Sequence, residues 1–258
     1  MLTLQQIEQQ YPQNLRTFKG SLFREYLQYK ILEIIFATEY APKLVFIGGT
    51  ALRIAYDNSR FSEDIDFDNF GLTDEEFKKL GAKVQTGLES EGFKVEIGFA
   101  GRGSYRCNVR FPELLFDSGL SDHKEEKILI QIDTLAQGFS YVPERKILNK
   151  FEVFTEIFTV SPDLLLAQKI HAAFTRKRAK GRDFYDIVFL LSFAKPNYKF
   201  LEQKLSISNG EMLRERLTEL SSRLDFIELA SDVEPFLFNS KDKKRVELFP
   251  EFIKQAKF

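Results

Sequence analysis

Residues 64–68, DIDFD, alternate carboxylates with apolar side chains, and few backbone conformations can use such a pattern. In a β-strand successive side chains leave opposite faces, so Asp64, Asp66 and Asp68 share one face while Ile65 and Phe67 share the other. Same-face neighbours lie only about 6.6 Å apart along a strand. Ionised carboxylates held that close repel one another, and burial makes this worse. The segment therefore needs solvent or a cation over its acidic face. A solvated strand end is the plain explanation of an Asp-x-Asp pair. A divalent metal with oxygen ligands is the chemical one, and Mg²⁺ takes one or two carboxylates together with substrate phosphates.

The stretch upstream bears on that choice. FIGGTAL, residues 46–52, sets a glycine bend between a short apolar strand and a helix. Backbone N–H groups at the start of such a helix make an anion site. Gly48 and Gly49 let the backbone approach a phosphate closely, and Thr50 adds a hydroxyl donor. A plain tight turn would use Gly-Gly as well. A phosphate cradle followed after 13 residues by paired carboxylates is equipment for a nucleoside triphosphate with Mg²⁺. No Gly-Lys-Ser/Thr follows the glycines, so the P-loop is excluded. Asp64, Asp66, Asp68 and Glu75 also fall at relative positions 1, 3, 5 and 12 of a calcium loop. Asn69 stands where that loop needs glycine, however, and no helix runs into Asp64.

Around this centre the spacing predicts one helix, a sheet region and a helical remainder. SLFREYLQYKILEIIFATEY, residues 21–40, repeats apolar residues as an amphipathic helix of about five turns, ended by Pro42. Strands are expected in KLVFI, DIDFDNF, FKVEIGF, SYRCNVRF and KILIQIDTL. TALRIAYDN is helical, and so is the segment after Thr73, where Glu76 completes a capping-box pattern. Ser161 with Pro162 opens a further helix, and GRDFYDIVFLLSF gives another, closed by Pro196. The expected fold is α+β, with a mixed sheet and flanking helices over residues 1–150 and a helical region over 151–258. A net charge of −1 makes no global case for a polyanion partner, so any such site must be local. Cys107 is the single cysteine and allows no intrachain disulfide. The N-terminus lacks a signal-peptide pattern, and no apolar run reaches the roughly 18 residues that span a bilayer. A cytoplasmic protein with no membrane partner is expected. His123 and His171 stand alone, and no Cys or His cluster has zinc spacing.

Gly-Gly-Thr, 13 residues, then Asp-Ile-Asp resembles the signature of the DNA polymerase β-like nucleotidyltransferases. Within them, GGTALRIAY with RFSEDIDF is similar to the AbiEii/AbiGii family, the type IV or MenT-like toxins. AQKIHAAFTRKRAKGRDFYDIVFLL resembles that family's second signature, a lysine helix followed by Arg-Asp-x-x-Asp, so the likeness covers about residues 43–193. It implies transfer of a nucleoside monophosphate from an NTP to an RNA acceptor, often the tRNA 3′ end, by a toxin with a separately encoded antitoxin. It also implies two Mg²⁺ ions on Asp64, Asp66 and a third carboxylate from a neighbouring strand. Asp133, ending the apolar strand KILIQIDTL, is the candidate; Glu96 is the fallback, and a turn residue is the plain alternative. The nucleotide would meet Gly48, Gly49, Thr50, Arg60, Ser62 and Lys169, and the helical region would complete the site.

Lys169 has Leu165, Leu166, Ala172 and Ala173 as helix neighbours, so its ammonium either snorkels outward or has an anionic partner. The resemblance links Lys169 and Asp186 to activity, the lysine on the nucleotide's phosphates and the aspartate in or orienting the site. Arg182 and Asp186 are also spaced for a simple helix ion pair. Arg176, Lys177, Arg178 and Lys180 form a basic run that is either a solvated turn or a contact to RNA phosphates. Two rivals stand beside the RNA acceptor. One is nucleotidylation of a protein or small molecule; the other is a non-catalytic nucleotide- or RNA-binding module.

Overall fold

Among residues 1–100 and 105–258, which the computed structural model describes, seven strands form one sheet. They are β1 (Leu44–Ile47), β2 (Ile65–Asn69), β3 (Glu96–Ala100), β4 (Tyr105–Phe111), β5 (Ile128–Leu135), β6 (Glu144–Lys150) and β7 (Val153–Thr159). Their order is β3-β4-β5-β2-β1-β7-β6. β2 runs antiparallel to β1 and parallel to β5, and β1 runs parallel to β7. The remaining pairs are antiparallel. The chain divides into two compact units, Met1–Ala55 with Ser62–Thr159, and Tyr56–Phe61 with Val160–Phe258.

The first unit holds the sheet; β1 is buried along its whole length, while the apolar residues of β2, β4 and β5 lie on one face. Phe67, Cys107, Val109, Ile130 and Ile132 are buried there, and the helices Lys19–Phe36 and Asp74–Ser90 pack against the strands. Phe36 meets Phe67 edge-on at 6.0 Å, which fixes the apolar side of β2 as the helix side. Asp66 and Asp68 therefore point to the other side. The Thr73 and Glu76 capping box is formed at the start of Asp74–Ser90.

The helix Lys19–Phe36 departs from its expected amphipathic form. Its polar residues Glu25, Gln28 and Lys30 are buried with the apolar ones. Each is satisfied inside the unit. Glu25 accepts from Tyr11, Arg53 and Lys150, and Lys30 pairs with Glu33 and Glu91. Burial pushes the Glu25 carboxyl up, but the Arg53 and Lys150 charges outweigh it and hold it below its ordinary value. β6 and β7 have no counterpart among the expected strands. β6 buries only Leu148 along its length, so its apolar alternation is faint.

The second unit is helical. Pro162–Thr175, Gly181–Leu191, Tyr198–Leu205, Gly210–Ser221, Phe226–Val233 and Phe249–Gln255 carry its main apolar contacts. Phe184, Phe226 and Phe249 form an aromatic cluster at 5.0 to 5.5 Å. Residues 56–61 join this unit through backbone: Phe61 N–H donates to Phe236 O at 2.8 Å and Phe238 N–H to Ser59 O at 3.2 Å. No helix among the described residues is long and apolar enough to cross a membrane.

Candidate active site

Strand register brings the sequence-separated acids of the first unit into one row. Ile47 of β1 pairs with Asp66 of β2, Asp66 with Asp133 of β5, and Asp133 with Arg106 of β4. Register partners emerge on the same face, so Asp66, Asp133 and Arg106 stand side by side, away from the helices. Arg106 grips Asp133 bidentately, Nε to Oδ1 at 2.7 Å and Nη2 to Oδ2 at 2.8 Å. That hydrogen bond and the Asp133 charge raise the Arg106 pKa, and Asp64 and Asp66 add to the rise. Asp133 meets the guanidinium directly, and Asp64 and Asp66 act on it through their charge alone.

The glycine bend seats Asp66. Gly48, at φ +82°, opens the helix Gly48–Tyr56, and a Cβ there would lie 2.3 Å from Asp66 Oδ2. The aspartate carboxylate occupies the space that a side chain at 48 would fill. Gly48→Ala combines a strained positive φ with this clash, so it is expected to displace Asp66 and to cost about 1–3 kcal/mol of stability. Thermal melting and nucleotide binding measure the two effects.

The loop before β2 is held from behind. Gln28 donates to the Ser62 and Glu63 carbonyls, each at 3.0 Å, and Arg24 pairs with Glu63 at 3.3 Å. Thr50 is buried, and its hydroxyl donates to the Asp64 carbonyl. The hydroxyl expected at a phosphate therefore braces the metal-candidate segment. Ser62 is half-buried in the same loop. Asp68 is buried and accepts from Gln137 N–H at 2.8 Å and Tyr141 Oη at 2.7 Å, which ties β2 to the segment after β5. Burial and this carboxylate both push the Tyr141 hydroxyl pKa up. Glu96 lies on the outer strand β3, paired with Lys127 at 2.9 Å and off the acidic row. β2 is extended and Glu75 pairs with Lys79 at 2.7 Å, so no calcium loop is wrapped here.

No group of three or more His, Cys, Asp or Glu side chains among the described residues converges as a metal cage. Both Asp133 oxygens face Arg106. Asp64 and Asp66 offer hard oxygen donors only, which fits Mg²⁺ and not zinc. Arg106 was absent from the residues singled out by sequence. Its signal lay in SYRCNVRF, where Arg106, Asn108 and Arg110 alternate with Cys107, Val109 and Phe111.

Arg60, Lys169 and Asp186 belong to the second unit, where they form one buried cluster. Asp186 accepts from Arg60 Nε at 2.7 Å and Nη2 at 2.6 Å, from Asn58 at 2.8 Å, and from Lys169, also at 2.8 Å. Lys169 also reaches Asp183 at 3.3 Å. Arg60, expected at the nucleotide, is 1% exposed and has its guanidinium on Asp186 and the Phe61 carbonyl. Lys169 does not snorkel; it has two anionic partners. Asp186 is taken by this cluster, and Arg182 lies over the Phe236 ring at 4.5 Å. Of the basic run, Arg176 pairs with Asp183 at 2.8 Å, Arg178 with Glu228 at 3.6 Å and Lys180 with Asp232 at 3.9 Å, while Lys177 is exposed.

The chain matches the family described as nucleotidyl transferase AbiEii toxin, type IV TA system, over residues 30–246. No curated protein matches it in sequence. Among solved structures, a candidate nucleotidyltransferase from H. pylori aligns at TM-score 0.58 and 20% identity, covering 92% of this chain and 95% of that one. JHP933 from Helicobacter pylori aligns at TM-score 0.56 and 18% identity, covering 92% of each. These two likenesses establish the fold. Taken with the match over residues 30–246, the chain belongs to the AbiEii nucleotidyltransferase toxin family.

Proposed function

We propose that this chain is a toxin that transfers a nucleoside monophosphate from an NTP to an RNA acceptor, the tRNA 3′ end, and is opposed by a separately encoded antitoxin. An acceptor hydroxyl attacks the α-phosphorus, the bond from that phosphorus to the oxygen bridging it to the β-phosphate breaks, and pyrophosphate leaves. The observation that carries this is the row Asp66–Asp133–Arg106 beside a glycine bend that a Cβ would block. Asp64 and Asp66 would hold Mg²⁺, and Asp133, once released by Arg106, would hold a second ion; the metal would supply charge neutralisation on the phosphates and a lower pKa for the acceptor hydroxyl.

The side chains do the positioning. Gly48 and Gly49 turn backbone N–H groups toward the departing phosphates. Thr50 and Gln28 fix the Asp64 loop from behind, so the carboxylates are set before substrate arrives. Arg106 orients Asp133 and offsets the crowded negative charge in the free protein. Arg60, Lys169 and Asp186 support activity by holding the second unit together. Lys177 and Arg178 are exposed and suit contact with RNA phosphates, which predicts affinity that falls with salt. The test is incubation of purified protein with Mg²⁺, each labelled NTP in turn and total RNA. Label on a tRNA band is expected. Label on protein would overturn the RNA acceptor, and no label with any NTP would overturn the catalytic assignment.

A further inference from the structure

The acidic row is one end of a longer polar face. Beyond Arg106 and Asp133, register continues with Asn108 opposite Gln131 and Arg110 opposite Leu129, and β3 sets Gly98 beside Asn108. These side chains lie on the face opposite the buried Cys107, Val109, Phe111, Ile130 and Ile132. That face is open: Asn108, Arg110 and Gln131 are half-exposed and Leu129 is 36% exposed. Gln131 Nε2 donates to Asn108 Oδ1 at 3.1 Å, which pairs the two amides. Arg110 lies across β3, its Nη1 3.0 Å from where a Cβ on Gly98 would stand. Lys127 takes Glu96, the register partner of Arg110, and Arg110 makes no ion pair among the described residues.

We infer that this face of β4 and β5 is the acceptor platform, and that it takes the single-stranded end of an RNA whose terminal hydroxyl reaches the Asp66–Asp133 row. The inference rests on the function proposed above. Three features select nucleic acid over peptide. A guanidinium without an acid partner suits a phosphate. Paired amides suit the edges of unstacked bases. Finally, β4 is hydrogen-bonded to β3 and β5, and β5 to β4 and β2, so neither offers the free backbone edge by which sheets capture peptides. The platform is continuous with the row, so a strand lying on it leads to the reacting atoms.

The test uses the full chain with Arg110→Ala and Asn108→Ala. Binding of a 5′-fluorescein single-stranded 12-nucleotide RNA is followed by anisotropy, beside a duplex of the same sequence. Each substitution is expected to weaken single-strand binding, Arg110→Ala by about tenfold, with a shallower salt dependence. In the transfer assay the KM for RNA rises with it, while kcat and the KM for NTP stay near wild type. Magnesium–NTP binding by calorimetry stays unchanged in both variants. Single-strand affinity and KM for RNA left at wild-type values would overturn the platform, as would equal weakening for the duplex. A 4-thiouridine RNA that gives no crosslink within residues 105–111 and 128–135 would also overturn it. If the wild type neither binds magnesium–NTP nor transfers label, the catalytic assignment fails instead, and the anisotropy and crosslinking arms still decide the platform.

Discussion

Asp66→Asn is expected to lower nucleotidyl transfer by about 10³-fold or more while leaving the fold intact. The substitution keeps the shape of the side chain, so the contact over Gly48 survives, but it removes the charge that a cation and triphosphate require. Stability should not fall. Asp66 adds its charge to those that Asp64 and Asp133 place near Arg106, and the bidentate grip of Arg106 is on Asp133. Removing one of three crowded acids relieves repulsion and leaves that grip in place, so thermal melting is expected to stay level or rise slightly. The same change at Asp133 should behave differently, since it takes the charged partner from Arg106. Label transfer and melting on Asp66→Asn and Asp133→Asn separate the two roles. Transfer by Asp66→Asn within tenfold of wild type would sink the site assignment.

What the sequence made legible was local. The alternation of residues 65–68, the glycine bend and the Thr73 capping box are each decided by neighbours a few residues away, and each forms as its spacing predicts, with Asp64 just before the strand. Tertiary context decided the rest. In Lys19–Phe36, Glu25, Gln28 and Lys30 mimic a solvent face, yet partners as far off as Lys150 make their burial tolerable. Asp133 could be picked out as an acid on an apolar strand, but the arginine that grips it comes from a different strand 27 residues away. Arg60 and Asp186 are 126 residues apart, so no pattern around either one announces the pairing. Residues 56–61 show the same limit. They begin at the last residue of the glycine helix, Tyr56, but pack with the helical unit.

That pairing carries the largest expected stability effect. Asp186 is wholly buried, and Arg60, Asn58 and Lys169 all converge on it. Asp186→Ala would leave a buried guanidinium without its anion, a change that costs about 3–5 kcal/mol and lowers melting by roughly 10 °C. Lys169→Met should be milder, because Arg60 still neutralises Asp186. Burial pushes the Asp186 carboxyl up, but the charges and hydrogen bonds of Arg60 and Lys169 hold it at about 2, below its ordinary 3.8. A carboxyl with a lower pKa folded than unfolded stabilises above its unfolded value and loses that stabilisation as pH falls through the folded one. The stability gap between wild type and Asp186→Ala should therefore be constant above about pH 4 and narrow from there toward pH 2. Urea unfolding across that range measures it. The same variant tells support from chemistry. If Asp186 acts by holding its unit together, transfer activity should track the folded fraction and recover on cooling, whereas a direct role at the nucleotide would leave folded protein inactive.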